Sequence, residues 1–354
     1  MKGRPGRLGI AAALGAFLGG CATPGYYAQA VGGHLEIWRA SRPIAEARAD
    51  PELPVAVRER LAAAERIRDF ASRKLGLPDN GSYRRYADVG RPYVVWTVVA
   101  TGTVSLDPKT WCFPFAGCVA YRGYFAEAAA REFAAGLEAG DHDVFVAGVP
   151  AYSTLGWFDD PVLNTFVRYP DAELARLIFH ELAHQVAYAK DDSEFNESFA
   201  VAVEEAGVER WLAAHGSAAD KASFARMQGL RADFQALVGR HRAALARAYA
   251  AGTEGERRSA KARILADLLA DYRALRDGPW GGFAGYDRWL GAGANNATLA
   301  SIGLYQTLVP QFRALLAGGA GDLPRFYAAV RELAEMPREE RRRQLAGTAG
   351  SAPR

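Results

Sequence analysis

His180-Glu181-Leu182-Ala183-His184 is the segment of this chain whose residue types and spacing can do chemistry. On a helix, residues four apart share a face, so both imidazoles can reach one metal ion. Two imidazoles suit zinc. Glu181 follows His180 by one position and falls beside such an ion, where a carboxylate can take a proton from an attacking water. The third ligand is sought downstream, in Phe195-Asn196-Glu197-Ser198-Phe199-Ala200. Residues 185–196 are enough chain to finish one helix, turn at Lys190-Asp191-Asp192-Ser193 and begin an antiparallel one. Glu197 then sits in the first turn of the second helix, closest to the end of the first, and is the ligand this reading selects. Glu204 and Glu205 compete for the role, and Glu204 lies two turns beyond Glu197 on the same face. Two histidines and a glutamate around one open position make a catalytic zinc arrangement. A structural zinc in a non-catalytic envelope protein is the alternative from another class, and it has no need of Glu181. His34, His142, His215 and His241 are isolated in sequence and read as non-ligands.

The elements around this motif predict an α+β chain, a small sheet with helices in the N-terminal half and a mainly helical C-terminal half. Leu174, Leu177, Ile178 and Leu182 give the motif helix an apolar face, and Asp171 after Pro170 is the expected N-cap. Helices are expected over 25–49, 54–75, 124–138, 171–189, 194–214, 217–250, 255–277, 294–317 and 322–333. Strands are expected at 93–100, 143–147 and 152–158, where β-branched and aromatic residues concentrate. Residues 278–293 form a Gly- and aromatic-rich loop. No Pro/Ser-rich linker divides the chain. A single domain is therefore expected over 21–335, its α+β half ending near 190, with a charged, frayed tail at 336–354.

The first 20 residues carry Lys2, Arg4 and Arg7, no acid, and an apolar run at 8–18. This is the layout of an export signal, and the run is too short to span a bilayer, which takes about 20 residues. Leu18-Gly19-Gly20-Cys21 at its end resembles a bacterial lipobox, which implies lipidation of Cys21 and an envelope location. With Ala22 after the cysteine, the outer membrane facing the periplasm is expected. An oxidising compartment and the turn residues Pro114 and Gly117 predict a disulfide between Cys112 and Cys118. Removing the first segment from the net charge of +3 leaves 40 basic and 40 acidic residues, and no basic patch is visible. Nucleic acid is excluded as a partner on that ground.

HELAHQ followed by FNESFA resembles the gluzincin metallopeptidases. More closely, GYYAQAVGGHLE, CFPFAGCVAYRGYF, VPAYSTLGWFDDP, FHELAHQ, FNESFA and NNATL resemble the predicted aminopeptidase lipoproteins of Gram-negative bacteria, over roughly Cys21 to residue 333. The resemblance implies a peptide substrate, one zinc on His180, His184 and Glu197, and Glu181 as base. The longer separation usual in better-known gluzincins would select Glu204 instead. The Gly-x-Met-Glu-Asn amine-binding element of one large aminopeptidase group is absent. The alternatives within enzymes are an endopeptidase and a hydrolase of peptidoglycan stem peptides. Tyr152 and Ser153 fall where gluzincins place a substrate-aligning edge strand. Asp159 or Asp160 could hold a substrate amine, and Tyr152, Tyr188 and Tyr305 are candidates to stabilise an oxyanion.

Overall fold

A computed structural model describes residues 24–113, 117–151, 153–291, 293–303 and 308–350. The signal segment, Cys21, Tyr152 and Tyr305 lie outside the described residues. The N-terminal half begins with α1 (Pro24–Ala40), β1 (Ser41–Pro43), α2 (Ile44–Ala49) and α3 (Val55–Leu75). There follow β2 (Arg85–Ala87), β3 (Val95–Gly102), β4 (Trp111–Phe113), β5 (Gly117–Val119), β6 (Arg122–Tyr124), α4 (Glu127–Glu138), β7 (His142–Val149) and β8 (Val162–Leu163). The rest is helical: α5 (Asp171–Ala183), α6 (Ser193–His215), α7 (Ala218–Tyr249), α8 (Glu254–Asp277), α9 (Asp287–Leu290), α10 (Asn296–Gly303), α11 (Val309–Gly318), α12 (Leu323–Glu335) and α13 (Arg338–Gly350). The class is α+β. No helix among the described residues is long and apolar enough to cross a membrane.

Three small sheets hold the strands. β3 is the centre of an antiparallel sheet between β6 and β7. β2 pairs antiparallel with β1 and parallel with β8. β4 and β5 form a hairpin closed by the Cys112–Cys118 disulfide. The main core joins α3, α5, α6, α11 and α12 through Leu61, Ile67, Phe179, Phe199, Phe312 and Phe326, all but absent from the surface. Helix ends follow local chemistry. Gly76 closes α3 in the left-handed conformation, and Ser217/Asp220 and Thr253/Glu256 form capping boxes at α7 and α8.

Several expected elements differ. The helix expected over 25–49 breaks at Ser41–Pro43, where Pro43 cannot donate to a helix and the backbone pairs with β2 instead. The motif helix ends at Ala183, so His184 is its C-cap. The span 294–317 divides into α10 and α11, with Pro310 in the first turn of α11. Ser153–Phe158 is a turn, not a strand, because Leu155 and Gly156 both take positive φ (56° and 82°). Thr154 holds it, its hydroxyl bonded to the Phe158 carbonyl and amide. Residues 338–350, expected as frayed tail, form α13, with Leu345 fully buried.

Candidate active site

α5 and α6 run antiparallel, and their facing residues build the site. His180 Nε2 lies 3.2 Å and His184 Nε2 3.8 Å from Glu197 Oε2. One donor atom from each of the three falls within 4.8 Å of the others, close enough to hold a single metal ion. Two imidazoles and a carboxylate fit zinc. The turn between the helices fixes this approach. The Asn196 side chain donates to the Ala189 carbonyl and accepts the Ala189 amide, at 2.8 and 2.7 Å. The residue before Glu197 is thus tied to the chain leaving His184. Asp192 caps α6 by accepting the Phe195 amide, and Arg341 and Arg342 of α13 clamp its carboxylate. The disulfide hairpin rests on the same turn, with the Cys118 amide bonded to Asp191 Oδ1 at 2.6 Å.

Glu204 takes a different place from the one proposed for it as a competing ligand. Its carboxylate meets His180 Nδ1 at 2.9 Å, the ring nitrogen that does not face Glu197. Arg176, one turn before His180, reaches both Glu204 oxygens at 3.1 and 3.2 Å. Arg176 also bonds Glu173, and Glu173 bonds Arg231 of α7. The histidine orientation is therefore carried outward through a partly buried chain of alternating charge. Glu205 is not at the site: it pairs with Arg313 of α11. A groove of about 720 Å³ between α6, α7 and α11 lies on that other face of α6, lined by Ala206, Glu209, Phe224 and Leu316, away from the histidines.

Burial is the largest single influence on each of these groups, and at three of them their charged neighbours together outweigh it. It opposes a charge on His180, yet the bonds to Glu197 and Glu204 outweigh it and push the ring up to about 10. Burial holds His184 down at about 4, against the pull of Glu197. Burial raises Glu181 to about 7, with His180 opposing the rise and Glu197, Asp160 and Glu204 adding to it. Burial also works against the Glu204 charge, but Arg176 and His180 prevail and hold it at about 2. Glu197 ends below its ordinary value because His184 and His180 outweigh its burial. The ionisation of Glu181 is thus set apart from that of Glu197 and Glu204, which are held low.

A family profile described as "Putative aminopeptidase" matches residues 25–345. The chain belongs to this aminopeptidase family. No curated protein and no solved structure matches the chain significantly.

Within this aminopeptidase-family chain the remaining candidates separate. Tyr188 is half-buried near Glu197. Its phenol is pushed up to about 12 by burial, then by Glu197 and Asp191. The Asp160 carboxylate is buried and accepts the Thr154 amide at 2.9 Å, so it faces inward and pins the 153–158 turn. The Ser153 hydroxyl accepts the Leu155 amide in that turn. Three features escaped the sequence reading. Arg176 was visible as the third member of a 176/180/184 stripe, matched by Glu197 and Glu204 seven apart on the partner helix. Tyr121, between β5 and β6, has its ionisation raised by burial and then by Glu197, Tyr188 and Glu181, which puts it beside the site. Tyr83 is fully buried, its hydroxyl has no hydrogen-bond partner among the described residues, and it feels Glu181 and Asp160. Neither tyrosine carries a local sequence signal, because both arrive from distant strands and loops.

Proposed function

We propose that this chain is a zinc-dependent peptidase, acting as an aminopeptidase, with zinc held by His180, His184 and Glu197. The convergence of those three donors beside Glu181 is the observation that carries the reading. A zinc ion held there supplies Lewis-acid polarisation of the scissile carbonyl and acidifies a water. Glu181 takes the proton of the attacking water and returns it to the leaving amine. Its carboxyl, near 7 through burial, can both accept and release a proton at neutral pH. Glu204 holds His180 by Nδ1 and keeps Nε2 turned toward Glu197. The family membership supports a peptide substrate. The export-like leader and the lipobox-like Leu18–Cys21 support a lipid-anchored protein on the periplasmic face of the outer membrane.

The test is metal content by mass spectrometry, with hydrolysis of aminoacyl amides and of the same peptides N-acetylated. The expected result is about one zinc per chain, activity abolished by chelation, and cleavage only of substrates with a free amine. Internal cleavage of N-acetylated peptides would reassign the chain to endopeptidases. Chelator-resistant hydrolysis in metal-free protein would overturn the metal reading.

A further inference from the structure

We infer that the outward face of α1, together with the Trp157–Phe158 tip, rests in the surface of a lipid bilayer. From Pro24 to Leu35 the helix carries no Asp, Glu, Lys or Arg. Its inward side is accounted for. Ile37 is in the main core, and Gly33 lies so close to the Phe125 ring that a methyl there would clash. Its outward side presents Tyr27, Val31, Leu35 and Trp38, spaced four, four and three apart, which is one stripe along the helix. Val31 is 59% and Trp38 65% exposed.

Trp157 and Phe158 are 69% and 56% exposed. The Phe158 ring stands 4.4 Å from the ring of His34 on α1, so the tip adjoins the helix. Seven large apolar side chains are exposed among the described residues, and six of them are these. Soluble surfaces scatter such residues singly, and a concentration of this kind marks an interaction site.

The chain before α1 identifies the occupant. The apolar run at 8–18 and Cys21 precede Pro24, and three residues reach roughly 10 Å at most. Whether held by the run itself or by acyl chains on Cys21, the start of α1 is kept at the membrane. A helix of 17 residues, about 25 Å long, can then lie flat in the interface. Tyr and Trp suit that depth, with an apolar ring and a polar edge. The tip belongs to the loop that packs Gly156 against Gln185, the residue after His184. The inference rests on the leader and the exposed stripe, not on the peptidase reading, and its failure would leave that reading intact.

The full chain, purified from membranes, is reconstituted into phosphatidylethanolamine–phosphatidylglycerol vesicles with and without brominated acyl chains, and tryptophan emission is compared. Bromine quenches indole only within the bilayer. The expected result is partial quenching that Trp38→Phe/Trp157→Phe loses, with circular dichroism unchanged. As a second reading, Val31→Cys carrying a polarity-sensitive dye should shift to the blue on vesicles. The same dye on Ala251→Cys, exposed between α7 and α8, should not shift. Equal quenching in parent and double variant, or no dye shift at residue 31, overturns the inference. A stable dimer in detergent with the residue 31 dye already shifted assigns the face to a second copy and overturns it equally.

Discussion

Glu204 and Glu197 approach opposite nitrogens of one imidazole: Glu204 meets His180 Nδ1 at 2.9 Å, and Glu197 stands 3.2 Å from Nε2. Two carboxylates seven residues apart on α6 thereby acquire different roles. The one at Nε2 shares the donor set with His184. The one at Nδ1 sets the ring angle, and its own charge is held by Arg176.

The division predicts a graded response to loss of each carboxylate. Glu197→Ala removes a donor and should abolish zinc retention in competition with a chromophoric chelator. Glu204→Gln removes only the charged acceptor at Nδ1 and should weaken zinc by about 10–100-fold. If Glu204→Gln releases zinc while Glu197→Ala keeps it, the ligand assignment is reversed.

Glu181 is half-buried, and no donor role is assigned to it. Glu181→Gln should therefore retain zinc and fold, and hydrolyse peptide amides about 10²–10⁴-fold more slowly. Steady-state rates on zinc-loaded protein decide it, and a rate equal to the parent's would remove Glu181 from the mechanism.

The sequence carried the site further than it carried the chain around it. His180, Glu181 and His184 were legible because helical spacing turns a five-residue string into a face, and Glu197 because a short turn must return the chain alongside that face. Glu204 was placed on the correct face, and its carboxylate meets Nδ1 of His180, a detail that spacing alone cannot tell. The 152–158 segment looked like a strand from composition, yet over 153–158 Thr154 and Asp160 bind the backbone into a turn that β-propensity does not register. The C-terminal segment looked frayed because its arginines were counted as solvated, whereas Arg341 is buried by a partner 149 residues away.

That partner gives α13 a measurable function. Arg341 reaches Asp192 at 2.6 Å and also donates to the carbonyls of Leu333, Ala334 and Met336. Arg341→Leu leaves a buried carboxylate at the start of α6 with only Arg342, and should cost about 3 kcal/mol in urea unfolding. Adding Asp192→Asn, which removes the stranded charge, should recover part of the loss in a double-mutant cycle. Full additivity of the two changes would show that the pair is not coupled.

Asp160 makes stability depend on pH in an unusual direction. Burial raises its carboxyl from 3.8 to about 6, against the Thr154 and Ser153 hydrogen bonds, so the folded chain keeps a proton that the unfolded chain has released. Between those values the folded state binds more protons, and the contribution of this group to stability falls as pH rises, then stays level above 6. At 1.36 kcal/mol per pKa unit the loss across the window is about 3 kcal/mol. Asp160→Asn retains a carbonyl oxygen for the Thr154 amide and cannot ionise, so it should lack this slope. Urea unfolding of parent and variant from pH 3.5 to 7 tests the point, since carboxylates that Asp160 does not reach titrate alike in both and cancel in the difference, leaving Glu181 and Asp159 as the coupled carboxylates. Asp160→Asn should gain on the parent as pH rises from 4 to 6 and hold that gain above it. A constant difference across the range would mean that Asp160 ionises in the folded chain as it does in the unfolded one.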